Sequence, residues 1–185
     1  MKNKILFTLI ISLIYSIGNS QTASVEKSTY GIQTGFLGIW VHNEMKLTNQ
    51  IALRTELGLN AGFFGGNFYP KTGFIMTPVI TVEPRWYYNL EKRQSKSKKI
   101  SGNSGNFVSL QTNFHPNWFV ISNYEDLKTF NLFTIIPSWG IKRNIGKHFT
   151  YETAIGLGYG YQFREEYGDL EGIAIDLHLR LGYRF

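Results

Sequence analysis

Charged side chains recur at every second position in several segments of this 185-residue chain, and these residues could do chemistry. Arg54 and Glu56 stand two positions apart, as do Glu83 and Arg85, in segments whose alternate positions are mostly apolar. Because successive side chains of a β-strand point to opposite faces, each charged set lies on one face of its strand. We predict one lumen charge network formed by Glu44, Arg54, Glu56, Glu83, Arg85, Lys142, Glu152, His178 and Arg180, with Asp176 nearby. Buried charges need partners, and the near balance of signs predicts pairs that fill the interior rather than an open pore.

The sequence gives little support for metal or catalytic chemistry. Four histidines are present, namely His42, His115, His148 and His178. They form no HxH or HExxH spacing, so we predict no metal site and no cofactor. No nucleophile elbow or phosphate-binding glycine loop is found. His115 is the one candidate catalytic residue, because Ser109, Ser122 and Glu125 are near it in sequence. We therefore expect that the protein is not an enzyme. The alternative is an enzyme in which His115 takes part in catalysis.

The last segment of the chain, residues 172–185, shows a strand pattern most clearly. Every second residue from Ile173 to Phe185 is apolar or aromatic, and the residues between them are mostly small or charged. Similar alternation runs through most of the chain after residue 30, and no segment after the first 20 residues has a helical period. These patterns predict an all-β fold.

Two all-β architectures compete. A soluble sandwich buries the apolar faces of its strands, whereas a transmembrane barrel turns them outward and encloses the polar faces. The predicted strands are about nine to seventeen residues long, which exceeds the usual strand of a sandwich. Aromatic residues gather near strand ends, and charges of both signs stand midway along strands. We predict an antiparallel transmembrane β-barrel.

Seven strands are clear, and such barrels usually have an even number. We predict eight, with the first strand within residues 25–36 and a turn near Gly35 or Gly38; the alternative is a barrel that is irregular at its seam. Pro78 and Pro84 fall in one predicted strand, residues 74–90, where they supply no N–H for pairing. We expect bulges or gaps in the sheet beside them.

The connections between predicted strands divide into two groups. Residues 48–50, 91–106 and 144–147 should lie at one end of the barrel, which we expect to be periplasmic. Residues 64–73, 116–130 and 164–171 should then lie at the external end, where connections are generally longer.

Residues 1–20 are expected to be a cleaved signal peptide, and residues 21–185 the barrel domain. Lys2 and Lys4 precede an apolar run that ends at Gly18-Asn19-Ser20. Loss of these two lysines lowers the formal net charge from +6 to +4. The chain has no cysteine, so we expect no disulfides. Despite the basic charge, we predict no nucleic-acid partner, because an exported protein rarely meets nucleic acid.

Two segments could contact a partner or lipid. One is the basic connection, with Lys92, Arg93, Lys96, Lys98 and Lys99; the other carries Trp118 and Phe119. The basic side chains suit an acidic partner or anionic lipid phosphates, although a solvated connection has the same composition.

Four stretches of the sequence suggest a resemblance to a known family. They are the end of the predicted signal peptide before Gln21, residues 47–56, residues 137–140 and the final Leu181-Gly182-Tyr183-Arg184-Phe185. In these features the chain resembles the small outer-membrane β-barrels of the Bacteroidota, similar to OmpX, the OmpA membrane domain and PorT-like proteins. The resemblance implies an outer-membrane location and contact with outer-membrane lipid and lipopolysaccharide. It also implies that Leu181, Tyr183 and Phe185 form a signal for the barrel-insertion machinery.

Three functions remain open. The first is a structural or accessory subunit of a larger outer-membrane complex. The second, drawn from the resemblance, is a lipid A acyltransferase or deacylase that uses His115. The third is a small diffusion pore.

Overall fold

The computed structural model of the protein describes residues 23–67, 69–125, 127–164 and 168–185. These residues form nine β-strands, one α-helix and a 3₁₀ helix at Ser101–Asn103. The helix, α1, spans Leu90–Gln94. The strands are β1 (Ser28–Gly35), β2 (Gly38–Lys46), β3 (Ile51–Phe64), β4 (Gly73–Trp86), β5 (Asn106–His115), β6 (Ile121–Ser122), β7 (Asn131–Ile145), β8 (Phe149–Phe163) and β9 (Leu170–Arg184). The predicted signal peptide lies outside the described residues.

Eight of these strands close into an antiparallel ring. Strands β1 to β5 pair in chain order, β5 pairs with β7, β7 with β8 and β8 with β9. Pairing of β9 with β1 completes the ring. The two-residue strand β6 adds to β4 outside it. The predictions of an all-β chain and an eight-stranded barrel are confirmed, and Phe36 and Leu37 form the predicted first turn.

Pairing between β4 and β5 is interrupted where proline was expected to interrupt it. Strand β4 pairs with β5 at Ile80–Val82 and again at Arg85–Trp86, with a break at Pro84 between them. On the N-terminal side of Ile80, β4 makes no further pairs with β5, and Pro78 lies in this unpaired part. Proline has no N–H to donate, so the predicted gaps at both positions are confirmed.

The two ends of the barrel differ. One end holds the turns at residues 47–50 and 146–148 and the connection 87–105, which folds against residues 23–27. We call it the capped end, and the opposite end the open end. The predicted strand 74–90 is too long, because β4 stops at Trp86 and Leu90 begins α1.

The helix α1 contradicts the expectation that no helix follows the signal segment. Five residues make little more than one turn, too short for a helical period to show in sequence. Leu90 anchors this turn, because its side chain is fully buried in a cluster with Tyr87 and Phe107. Nowhere in the described residues is there a helix with the length and apolar character of a membrane span.

Burial in the barrel is the reverse of that in a soluble protein. Along β9, Ile173 is 78% exposed and Leu177 is 68% exposed, and both point away from the barrel. The side chains of Arg54 and Glu152 point inward and are inaccessible to solvent. An apolar outer face and a charged interior are the arrangement of a transmembrane barrel.

Candidate functional site: the barrel interior

Glu44 on β2 lies at the centre of the buried charges. Its Oε1 accepts a hydrogen bond from Lys142 Nζ at 2.8 Å, from Arg54 Nη1 at 3.2 Å and from Arg85 Nη1 at 3.3 Å. The three cations come from β7, β3 and β4. The carboxylate therefore joins four strands across the lumen.

Arg85 forms the most regular ion pair of the interior. Its Nη1 and Nη2 donate to the two carboxylate oxygens of Glu152 at 2.9 and 2.8 Å, and Nη2 also donates to Glu83 at 2.8 Å. The ring centre of Phe107 lies 4.3 Å from the guanidinium carbon of Arg85. Two parallel charge-assisted hydrogen bonds fix this guanidinium in orientation as well as in position.

A second group of charges lies nearer the open end. Arg54 donates to Glu56, and its Nη2 donates to Gln33 Oε1 at 2.6 Å. Glu56 also accepts from Arg180 Nη1 at 2.9 Å. The guanidinium carbon of Arg180 lies 3.9 Å from the ring centre of Trp40. Glu56 is therefore held between two arginines.

His178 connects two acidic residues on the β8–β9 wall. Its Nδ1 lies 3.0 Å from Asp176 Oδ1, and its Nε2 lies 3.4 Å from Glu152 Oε1. The structure thus brings all nine residues of the predicted network into one connected set, with Asp176 attached through His178.

The network is balanced in charge without His178. Four carboxylates, Glu44, Glu56, Glu83 and Glu152, face four cations, Arg54, Arg85, Lys142 and Arg180. Each of these side chains is nearly or fully buried. A buried charge is tolerated when it is paired and hydrogen-bonded, and these eight are. The arrangement fills the middle of the lumen and neutralises it.

The capped end closes the lumen below the network. The Tyr87 hydroxyl and Asn103 Nδ2 donate to Glu44 Oε2 at 3.0 and 2.7 Å. Tyr87 packs against Phe107 and Leu90. Burial raises the pKa of the Tyr87 phenol, and the Glu44 carboxylate raises it further. Tyr87 therefore remains a neutral donor, and an apolar layer seals this end.

The first described residues tie the cap to the chain terminus. Arg184 Nη1 donates to Glu26 Oε2 at 3.0 Å, and the Glu26 carboxylate also accepts from the Gly102 N–H. The Glu26 N–H donates to Asn103 Oδ1 at 2.8 Å. Residues 23–27, the cap and the end of β9 therefore form one unit.

Above the network, a polar cavity of about 470 Å³ opens toward the open end. Its wall includes a short hydrogen-bonded chain in which Thr81 donates to Asn113 at 2.7 Å and Asn113 donates to Thr134 at 2.9 Å. Glu56 and Arg180 are among the lining residues. The cavity has room for a small polar solute, but the charge network lies between it and the capped end.

His115 lies at the edge of this cavity without the partners that catalysis would need. It lines the cavity with Leu132 and Gln162. Among the described residues, no hydrogen bond joins His115 to a serine or a carboxylate. Ser122 instead donates to the Phe74 carbonyl at 2.6 Å. The structure does not bring a catalytic set together around His115, and the described residues contain no cluster of metal ligands.

The predicted contact surfaces lie at opposite ends of the barrel. Lys92, Lys96, Lys98 and Lys99 are exposed at the capped end, on and just after α1. Arg93 has a structural role there, because its Nη2 donates to the Lys99 carbonyl at 2.9 Å. The side chains of Trp118 and Phe119 are exposed at the open end.

The three residues of the predicted insertion signal point outward from β9. Leu181 and Phe185 are exposed, and the Tyr183 ring lies between those of Phe149 and Phe185 with centroid distances of 5.4 and 5.5 Å. With Phe149 they form an apolar patch on the outer wall near the capped end.

Several residues of the interior were absent from the predicted network. Tyr87 lies two positions after Arg85, so the alternation that identified Glu83 and Arg85 could have included it. Gln33 on β1 and Trp40 on β2 occupy buried positions of alternating strands, but neither carries a formal charge. Asn103 lies in the 3₁₀ helix, where no periodic pattern marks it.

Comparison of the chain with known protein families, with curated proteins and with solved structures found no match.

Proposed function

We propose that the protein is an outer-membrane β-barrel, closed to flow through its lumen, which serves as a structural or accessory subunit of a larger membrane assembly. The observation that carries this proposal is the reversed burial. Aliphatic side chains are exposed around the outer wall, while paired charges fill the inside. Only an apolar surrounding medium makes such an outer wall favourable.

The dimensions of the outer wall support a bilayer location. Outward-facing apolar and aromatic residues of β9 run from Tyr183 to Ile173. Ten residue steps at about 3.3 Å, on a strand tilted by about 45°, rise about 23 Å along the barrel axis. This height agrees with the apolar band of about 25 Å found on membrane barrels. We place the capped end in the periplasm, since its two tight turns fit that side.

The filled lumen argues against the diffusion pore. A through-path would have to pass the eight paired charges and then the layer of Tyr87, Leu90 and Phe107. Ions cannot replace these contacts without leaving charges unpaired. A supporting role in an assembly needs no such path.

The first experiment tests the membrane location. The full chain, residues 1–185, is expressed in a Gram-negative host, and the membranes are separated by density. We expect the protein in the outer-membrane fraction, where it should migrate faster in SDS gels before boiling than after. Deletion of Phe185 should reduce the folded form, while Phe163→Ala, which changes another exposed aromatic residue, should not. Recovery in the soluble fraction would refute the proposal.

The second experiment tests the accessory role. The tagged protein is extracted from its native membrane with a gentle detergent, and the co-purifying proteins are identified. We expect a larger membrane protein in stoichiometric amount. Changing Lys92, Lys96, Lys98 and Lys99 to Ser, with Arg93 retained for its bond to Lys99, tests whether the basic connection contributes. A lone folded monomer from the native membrane would contradict the accessory role.

A further inference from the structure

The barrel wall is incomplete at the open end where strands β1 and β2 are short. Strands β1 and β2 have eight and nine residues, whereas their neighbours β9 and β3 have 15 and 14. The last pair between β1 and β9 is Gly35 with Arg180, and the last between β2 and β3 is Gly38 with Asn60. Above these pairs β9 and β3 continue, and no strand of the described residues lies between them. We call this gap the notch; residues 36–37 form its floor, and residues 170–179 and 61–64 form its sides.

The notch lies within the apolar band of the barrel. On β9 this band extends from Tyr183 to Ile173. Gly35 pairs with Arg180, which is only three positions from Tyr183. The missing wall therefore begins near the middle of the band and continues toward the open end. Phe36, on the floor, is 91% exposed. A cavity of about 260 Å³ lies here, lined by Phe36 and Leu37 and by Arg180 of the charge network.

The notch exposes main-chain hydrogen-bonding groups of β9. The Phe185 N–H donates to the Tyr30 carbonyl on the β1 side, and the Arg184 N–H donates to His148 on the β8 side. Because this direction alternates along a strand, Ile173, Ile175 and Leu177 present their N–H and C=O groups to the notch. Within the described part of the chain, no hydrogen bond reaches these groups from that side.

Another edge of the same barrel is closed. The upper part of β4 leaves β5, and there Ile75 and Met76 pair with β6. Pro78, just below, has no N–H to satisfy. The chain thus covers the upper edge of β4 with its own residues, whereas none of the residues that the structure describes covers the corresponding edge of β9. At membrane depth an open edge is unfavourable, since lipid tails supply no hydrogen bonds.

We propose that the notch receives an extended segment of a different membrane-embedded polypeptide, which pairs as a strand with residues 173–177 of β9. The proposal rests on the membrane location proposed above, and it names the contact through which the accessory role is performed. Alternating donors and acceptors on β9 require a main chain as their partner, as in strand addition to other sheet edges. The added strand has apolar residues toward the lipid and polar or small residues toward the cavity.

A symmetric pair of copies of this chain does not satisfy the edge. Two copies inserted in the same direction, related by a two-fold axis along the membrane normal, bring two β9 strands together in parallel. Their identical edges then face each other, with the N–H of Ile175 level with the same N–H of the mate. Donor faces donor, so this pairing fails.

Site-specific photocross-linking tests the occupant. A photoreactive amino acid replaces Ile175 in the full chain in its native cells, and the matched control replaces Leu110, an outward residue of β5 away from the notch. We expect a polypeptide adduct of a single larger size from position 175, at least about tenfold stronger than from position 110. Adducts with lipid only, with a second copy of the chain, or with nothing would each overturn the proposal.

A proline substitution tests the pairing itself. Ile175→Pro removes an N–H that points into the notch and leaves the bonds to β8, which use the even-numbered residues, intact. We expect a folded, heat-modifiable barrel from which the co-purified partner is reduced by about tenfold, the effect of one lost hydrogen bond at the upper end of its range. Ile175→Val should retain the partner. Equal recovery from both variants would refute strand pairing.

The two proposals can fail separately. Outer-membrane fractionation and heat modifiability with no polypeptide adduct at position 175 would overturn the strand partner alone. A chain recovered outside the membrane would overturn the proposed function, whatever the cross-linking result.

Discussion

At the scale of single residues, the buried arginines have the largest consequences. Arg54 touches Glu44, Glu56 and Gln33, and its side chain is completely inaccessible. A buried charge in such a position contributes little net stability compared with an apolar residue, but removing one partner leaves the other uncompensated. The network therefore constrains substitution more strongly than it stabilises the fold.

Arg54→Ala should lower the free energy of unfolding by about 3–5 kcal/mol, because Glu56 and Glu44 lose a buried cation. Urea unfolding of the protein refolded in lipid vesicles measures this change. Lys92→Ala, at an exposed position, serves as the control and should change stability by less than about 0.5 kcal/mol. A loss below about 1 kcal/mol for Arg54→Ala would show that water reaches the network.

Tyr87 should make stability depend on alkaline pH. Its phenol has a raised pKa, whereas an unfolded tyrosine titrates near pH 10. The unfolded chain thus loses a proton that the folded chain retains, so stability is complete below about pH 10 and decreases as the pH rises above it. The contribution of this group to the slope is at most about 1.4 kcal/mol per pH unit. In unfolding measurements between about pH 9 and 11, Tyr87→Phe should show a smaller decrease than the wild type; identical slopes would contradict this assignment.

At the scale of strands, close approach between β7 and β8 depends on particular glycines. A Cβ at Gly158 would collide with the main-chain carbonyl of Ile135 on β7. Main-chain atoms in a paired strand cannot move aside as a flexible side chain can. Gly172 on β9 differs, since nothing lies within 4 Å of the position that its Cβ would take.

Gly158→Ala should therefore reduce the folded barrel strongly, while Gly172→Ala should fold like the wild type. Both changes add one methyl group to a glycine on the barrel wall, so they are matched in chemistry. The heat-modifiable fraction in SDS gels gives the measurement. Equal folding of the two variants would mean that β7 and β8 can separate enough to admit the methyl group.

At the scale of the whole molecule, the barrel is a cup closed at one end. The cavity at the open end reaches Glu56 and Arg180, and the charge network and the cap occupy the rest of the lumen. The notch adds an opening in the side wall above Gly35. Solutes can therefore enter the outer half without crossing the barrel.

The purified protein should give no steady conductance in planar bilayers, because paired charges and the layer around Tyr87 block the path. Refolded protein that passes the heat-modifiability test is required, and a wide porin inserted in the same bilayers is the positive control. Regular conductance steps from the folded protein would contradict the closed lumen and restore the diffusion pore.

Patterns in the sequence were sufficient to predict the barrel class and the charged members of the network. Alternation of apolar and charged residues assigns each side chain to one face, so Arg54, Glu83 and Arg180 could be placed inside without knowledge of their neighbours. The missing N–H of Pro84 likewise determined where pairing would break. These are local properties of the chain.

Long-range contacts in the folded chain determine which charges meet, what closes the lumen and where the wall is open. Glu44 and Lys142 are 98 positions apart and touch because ring closure fixes the register of all strands. The cap depends on α1 and Asn103, which no periodic pattern marks. The notch arises from the difference in length between β1 and β9 once they pair at Gly35 and Arg180. Alternation gives the face on which a residue lies but not the register between strands, and register is set by long-range pairing.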